Sequence, residues 1–437
     1  MLSAQFRAPT MFSKAGGVNW QIEATMMAMS IAAQPSVEQI RAQFPSLSSG
    51  TIYLENAGGT QVPLVVVDAM RDYMLSSYVQ LDAGYGASKR ATETVASARR
   101  FQTIYMNAGD KGQVVFGPSS SQLCKHLADA YANVLEPGDE IIVAQTGHEA
   151  NVGPWFKLEE RGFTVKLWPV NSDTFRCELD ELRALMSDRT KIVAFPHSSN
   201  LLGDIADARA IADIAHEAGA RVVIDGVAYA PHRVLDVQAI DADWYFYSTY
   251  KVFGPHMAAL FGKAEAFAEL AGPGHYFIPE GSPSKWELGC LSHEGCAGTL
   301  ALGRYLAYVA GKSHTAETPR STVEAAWETM SALELPLQQK LIGYLQGKPG
   351  VRVIGPQQTG ASRVAIVSFL SDRTSPPEIT AATDAADIGI RHGHAYAARL
   401  CEGLGIHPSS GVVRVSFAHY NTAQEVDRLI DVLQGIL

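Results

Sequence analysis

The chain has 437 residues, 47% of them hydrophobic and 18% charged, with a formal net charge of −10 at pH 7. That length suits two domains, or one large domain with a satellite, and that composition is of an ordinary globular protein rather than a disordered or fibrous one. The acidic balance argues against nucleic acid and against an anionic membrane surface as the main partner, and favours a small-molecule substrate.

Residues 1–34 are the least globular stretch, with Met11, Met26, Met27 and Met29 scattered through Ala, Ser and Gln. Arg7 and Lys14 precede the first acid, Glu23, as in an organellar presequence. The stretch is not Arg-rich, however, so a flexible tail from an upstream start codon is the expectation. From there to about residue 300, strand-like runs at Gln113–Phe116, Glu140–Ala144, Phe163–Leu167, Lys191–Phe195, Val222–Asp225 and Trp244–Tyr247 alternate with helical patterns at Ser121–Val134, Glu149–Arg161, Leu179–Met186 and Ala208–Ala218. Such alternation predicts an α/β large domain over residues 35–300, built on a mostly parallel sheet flanked by helices on both faces. Gly272–Ser284 is a long turn-rich loop.

Beyond the loop, Gly298–Ala310 and Val323–Gln346 read as helices, Val351–Ile354, Ser362–Phe369 and Val412–Ala418 as strands, and Ala423–Gln434 as a closing helix. These predict a smaller α+β C-terminal domain at 301–437, with which residues 35–55 can pack. No apolar run approaches the ~18 residues of a membrane span. The five cysteines (Cys124, Cys177, Cys290, Cys296 and Cys401) form no CxxC pair, so neither a disulfide framework nor a metal site is expected, and the compartment reads as reducing and cytoplasmic.

Lys251 closes the aromatic run Trp244–Tyr250, and Asp225 ends the Val/Ile strand 26 residues before it. Both groups can therefore reach one crevice at the strand ends, with Ser248 a turn ahead of the lysine. Such an amine can form an imine, and such a carboxylate can pair with a pyridinium nitrogen, which are the requirements of pyridoxal phosphate. Taken singly, Asp225 also reads as a loop cap and Lys251 as a snorkelling lysine, although the apolar, turn-limited setting of Lys251 does not suit a solvated face. His148 follows another strand; it is either a cap or a residue stacked on a planar cofactor, able to relay a proton. In Gly117–Ser121, Ser119 and Ser120 stand between a strand and a helix, where amides and hydroxyls can cradle a phosphate. Arg414 is a lone cation in an apolar strand, and either a structural salt bridge or a substrate carboxylate must answer its charge.

With these motifs in order, the chain from about Tyr53 onward resembles the class V aminotransferase family of pyridoxal-phosphate enzymes, and within it the cysteine desulfurase-like group. The resemblance implies fold type I and a homodimer in which the Trp286–Glu294 segment reaches the partner's cofactor. It implies that His148 stacks on the ring, Asn200 of Ser199-Asn200-Leu-Leu-Gly203 contacts the phenolic O3′, Asp225 pairs with the ring nitrogen, Ser248 holds the phosphate, Lys251 forms the Schiff base and Arg414 binds the substrate carboxylate. Three departures stand out. Where the family has a second O3′ donor this chain has Ala228, so that contact is lost or supplied by a neighbour. Cys290 replaces a hydroxyl donor in the cross-subunit turn. In Arg391-His-Gly-His-Ala-Tyr-Ala397, Tyr396 stands where desulfurases carry the sulfur-accepting cysteine, leaving Tyr396 and His394 as substrate contacts.

The expected activity is therefore cleavage at Cβ of an L-amino acid without a persulfide relay. The alternatives are decarboxylative carbon–carbon bond formation from aspartate with an aldehyde, transamination with a keto acid, epimerisation, and true cysteine desulfuration. A non-enzymatic regulator of the same fold is disfavoured by the joint presence of Lys251, Asp225, His148 and Arg414.

Overall fold

A computed structural model of the chain describes residues 34–437. The tail expected at 1–34 lies outside the described residues, apart from Gln34. The large sheet has seven strands: β1 (Gly112–Gly117), β2 (Glu140–Ala144), β3 (Thr164–Trp168), β4 (Thr190–Pro196), β5 (Arg221–Asp225), β6 (Trp244–Ser248) and β7 (Ala258–Lys263). Their spatial order is β1-β7-β6-β5-β4-β2-β3. All pairs from β6 to β3 are parallel, and β7 runs antiparallel to both β6 and β1.

The inner strands β2, β4, β5 and β6 are largely apolar because both faces are covered, whereas edge strand β3 is partly exposed and carries Lys166; the apolar residues divide between two cores with a period of two. Ile142, Val193, Ile224, Tyr245 and Tyr247 point into one core; Ile141, Val143, Ile192, Val223, Trp244 and Phe246 point into the other. Helix Ser120–Tyr131 packs in the second core through Leu123, Cys124 and Leu127, and helix Ala208–Glu217 in the first through Ile211, Ala212 and Ile214.

A four-stranded antiparallel sheet follows, of β8 (Val351–Ile354), β9 (Ile366–Ser371), β10 (Arg391–Gly393) and β11 (Val412–Ser416), in the order β10-β11-β9-β8. The 27-residue helix Arg320–Gln346 joins the two bodies: Val323, Ala326, Trp327 and Met330 lie in the large core, while Leu337, Leu341, Ile342 and Leu345 lie in the small one. Leu302, Tyr305, Leu306 and Val309, beyond the expected boundary at 301, belong to the large core. Ile40 and Phe44 also join it, whereas Leu54 joins the small core and Ile52–Tyr53 pairs with Ile388–Gly389.

One expected element breaks up. Glu149–Arg161 is not a continuous helix but a 3₁₀ turn at Glu149–Asn151, a single α turn at Gly153–Phe156 and a second 3₁₀ turn at Lys157–Arg161. Pro154 has no N–H to give, and Val152 before it sits at φ −122° and ψ −58°, outside regular helix. Among the described residues no helix is long and apolar enough to cross a membrane.

Candidate active site

The parallel pairing of β4, β5 and β6 brings Pro196 opposite Asp225 and Asp225 opposite Phe246. The C-terminal ends of three neighbouring strands thus form one rim, and the loops leaving them line one crevice. Strand β6 ends at Ser248, and Lys251 follows on a 3₁₀ turn, Thr249–Lys251, rather than on the strand itself. The Thr249 hydroxyl pins that turn by bonding to the carbonyls of Pro255 and Met257.

The crevice is lined by Ser120, His148, Asn200, Asp225, Ser248 and Lys251, joined by Ser121, Ser198, Val227, Ala228 and Tyr250. Lys251 is 7% exposed and Asp225 5%. Burial pushes the Lys251 amine down to about 8, helped by the Arg414 charge and opposed by Asp225. Burial likewise raises the Asp225 carboxyl to about 6, against a hydrogen bond from the Val227 N–H at 2.9 Å and the nearby Lys251. His148 is lowered to about 4 by burial and by the Lys251 and Arg414 charges, so its ring is neutral near pH 7. Its Nδ1 accepts the Ala150 N–H at 3.0 Å, which assigns the ring proton to Nε2.

On one side of the crevice, the Ser120 and Ser248 hydroxyls lie 2.8 Å apart beside the first turn of helix Ser120–Tyr131. Ser119 is the N-cap: its hydroxyl accepts the Gln122 N–H, and it does not line the crevice, whereas Ser121 does. Beyond the mouth of the crevice, Arg414 on β11 is 5% exposed and, among the described residues, makes no ion pair. Its Nη1 donates to the Asn200 carbonyl at 3.1 Å, and its Nε has no partner. Burial lowers Arg414 to about 10.

A second, open cavity of about 1050 Å³ leads outward from His148, Asn200, Lys251 and Arg414 past Glu55, Arg391 and Tyr396 to the helix Leu64–Ser76. The Tyr396 ring lies against His148, with centroids 5.2 Å apart. Its loop is tightly wound: Gly393, Ala395 and Tyr396 all have positive φ, at 120°, 44° and 62°. For the two non-glycine residues that conformation costs energy, and hydrogen bonds from Asn200 Nδ2 to the Ala395 carbonyl and from the Glu149 N–H to the Tyr396 carbonyl hold it. His394 lines neither cavity; its Nδ1 accepts the Tyr396 N–H at 3.0 Å and so braces the turn.

The profile of the family described as Aminotransferase class-V matches residues 52–429. The chain belongs to the class V aminotransferase family. Over 92% of its length it is 38% identical to "Aminotransferase-like protein FGM3" of Gibberella zeae, covering 98% of that protein. Over the same share it is 30% identical to a cysteine desulfurase of Dickeya dadantii, covering 96% of it. Among solved structures, the cysteine desulfurase CsdA (S-sulfonic acid) of Escherichia coli superposes with a TM-score of 0.79 at 26% identity, over 93% of this chain and all of that one.

Membership makes this class V chain a pyridoxal-phosphate-dependent enzyme, and its crevice fits that cofactor. Ser198 Oγ and Asn200 Oδ1 are buried at the crevice without partners, and Arg414 Nε is in the same state at its mouth. Polar atoms so placed are rarely left unsatisfied in a folded protein, and the two donors among them, Ser198 Oγ and Arg414 Nε, would engage an acidic, oxygen-rich ligand. Ser121, Ser198 and Tyr250 were not singled out in the sequence. Ser121 belongs to the serine turn Gly117–Ser121, whereas nothing in the local pattern marks Ser198.

Proposed function

We propose that this enzyme binds pyridoxal phosphate through Ser120, Ser248, His148, Asn200, Asp225 and Lys251, and cleaves a bond at Cβ of an L-amino acid held by Arg414, without passing sulfur to a cysteine. The cofactor, when bound, supplies an electron sink for negative charge developing at the substrate Cα. Asp225 is placed to hold the proton of the ring nitrogen, and the serine pair with the helix N-terminus to hold the phosphate. Arg414 offers the substrate carboxylate its Nε edge, the side not engaged by Asn200. Lys251, whose amine loses its proton near pH 8, is suited to take the proton from Cα and later return one, and neutral His148 can pass a proton through Nε2.

The observation that carries the absence of a sulfur relay is the placement of the thiols. None of the five cysteines lines either cavity. Cys401, the one nearest Tyr396 in sequence, is buried in helix Ala398–Gly403, and burial raises its thiol to about 11, away from the thiolate that attack on sulfur needs. A cytoplasmic homodimer acting on a free amino acid, with or without an aldehyde or keto-acid co-substrate, completes the reading.

The test is a panel of L-amino acids, including cysteine, cysteine conjugates, and aspartate with and without an aldehyde, with products followed by mass spectrometry. Pyruvate and ammonia from a substrate with a β-leaving group are expected, with no persulfide on any cysteine, and Lys251→Ala should lower turnover by roughly 10²–10⁴. A Cys401 persulfide during turnover, or a keto acid formed only with an amino acceptor, would sink the proposal.

A further inference from the structure

We infer that Ser198 is a cofactor-binding residue: its hydroxyl donates a hydrogen bond to the phenolic oxygen of bound pyridoxal phosphate, the contact that Ala228 cannot make. The inference rests on the cofactor assignment and concerns a residue outside the motifs that point to it. Ser198 lies two residues beyond β4, where the His197 N–H bonds to the Asp225 carbonyl at 2.8 Å and a single bridge pairs Ser198 with Ile205. That anchoring sets Ser198 beside the end of β5, and it lines the same crevice as Asp225, Asn200 and Ala228.

The adjacent serines divide the work. Ser199 Oγ accepts the Leu201 and Leu202 N–H groups, at 3.4 Å each, and so closes the turn. Ser198, 2% exposed, has no partner for its Oγ. A hydroxyl that gives up water on burial and receives nothing in return is a net loss to the fold unless a ligand satisfies it. Asn200 shows the same shortage: Nδ2 is committed to the Ala395 carbonyl at 2.7 Å, Oδ1 is unpaired, and the two orphans do not satisfy each other.

The choice of ligand atom follows from chemistry. The phenolic oxygen of the cofactor carries negative charge and is an acceptor, Asn200 has one amide hydrogen left to offer it, and the side chain of Ala228 is a methyl group. A serine hydroxyl in a buried setting makes a charge-assisted bond to such an oxygen, which is shorter and stronger than a neutral one.

Ser198→Ala removes one atom and leaves the turn bonds of Ser199 in place, so the variant should fold. In the holoenzyme its cofactor dissociation constant should rise about tenfold. The pH at which the visible band of the bound cofactor titrates should also move upward, since a phenolic oxygen deprived of its donor holds the neighbouring proton more tightly. Ser198→Thr should restore both values. A Ser198→Ala holoenzyme with wild-type affinity and wild-type titration would overturn the inference while leaving the cofactor assignment intact. A wild-type chain that takes up no pyridoxal phosphate and shows no visible band would overturn both.

Discussion

Lys251 and Asp225 are both buried in a low-dielectric crevice that disfavours their charged forms, and the cofactor-free chain bears that cost. Asp225 titrates near 6 when folded and near 3.8 otherwise. Between those values the unfolded chain loses its proton first, so raising the pH weakens the fold, and above pH 6 the penalty is complete. Lys251 acts in the opposite sense: its penalty is full below pH 8 and fades as pH rises toward 10.5. Cofactor-free Asp225→Asn is therefore expected to match the wild type in urea unfolding at pH 4 and to exceed it at pH 7.5 by on the order of 2 kcal/mol, while losing most turnover. Equal stability at both pH values would show that the carboxylate is not desolvated. Arg414 makes a related case, because the carbonyl of Asn200 satisfies only one of its nitrogens. Lysine keeps the charge but not the fork, so Arg414→Lys should cost roughly 2–5 kcal/mol in kcat/KM, mostly through KM. Unchanged kinetics would assign Arg414 a structural role.

At the scale of elements, what could be read from sequence followed from how strictly each strand had to be apolar. Strands β2, β4, β5 and β6, buried on both faces, stand out as unbroken Val, Ile and aromatic runs, and each was placed within one residue of its ends. Their C-terminal rim made Asp225, His148, Ser248 and Lys251 legible together, since a polar residue at the end of such a run has few other places to go, whereas Asn200 was legible only through the family resemblance. Strand β7, Ala258–Lys263, escaped notice because it returns antiparallel after a turn, with no helix before it to set up an alternation. The helix Gly86–Tyr105 is harder to read: Val95, Phe101 and Tyr105 are buried, but its N-terminal half buries only Ser88 and Ala91 before them, and Ala98 and Gln102 interrupt the apolar stripe. Glu149–Arg161 had the right apolar spacing, but spacing says nothing of Gly153-Pro154, which cut it into three turns. Ser198 was invisible for the plainest reason: an orphaned hydroxyl is defined by what does not surround it, and only packing shows that.

At the scale of the whole molecule, the apolar surface left uncovered points to a second copy of the chain. On helix Leu64–Ser76, Leu64, Val67, Met74 and Leu75 are exposed, Leu75 to 80%. Val67, Met70, Met74 and Leu75 form one wall of the open cavity that runs down to Lys251 and Arg414, and Tyr78, Tyr85, Tyr276, Phe277 and Leu288 add further exposed apolar area. A site whose chemistry depends on desolvated charges works poorly with a side open to water, and a contiguous apolar wall next to it is costly for a monomer. A homodimer that buries this wall would close the cavity, and obligate interfaces of that kind cover more than ~2,000 Å² in total. Light scattering is therefore expected to give twice the chain mass for the active holoenzyme. The double variant Met74→Glu with Leu75→Glu adds two like charges to the wall without touching any residue assigned to the cofactor. It should shift the mass toward that of one chain and, as water enters the outer cavity, lower both cofactor retention and turnover. A monomer with full activity, whether wild type or variant, would show that one chain closes its own site and would refute the dimer.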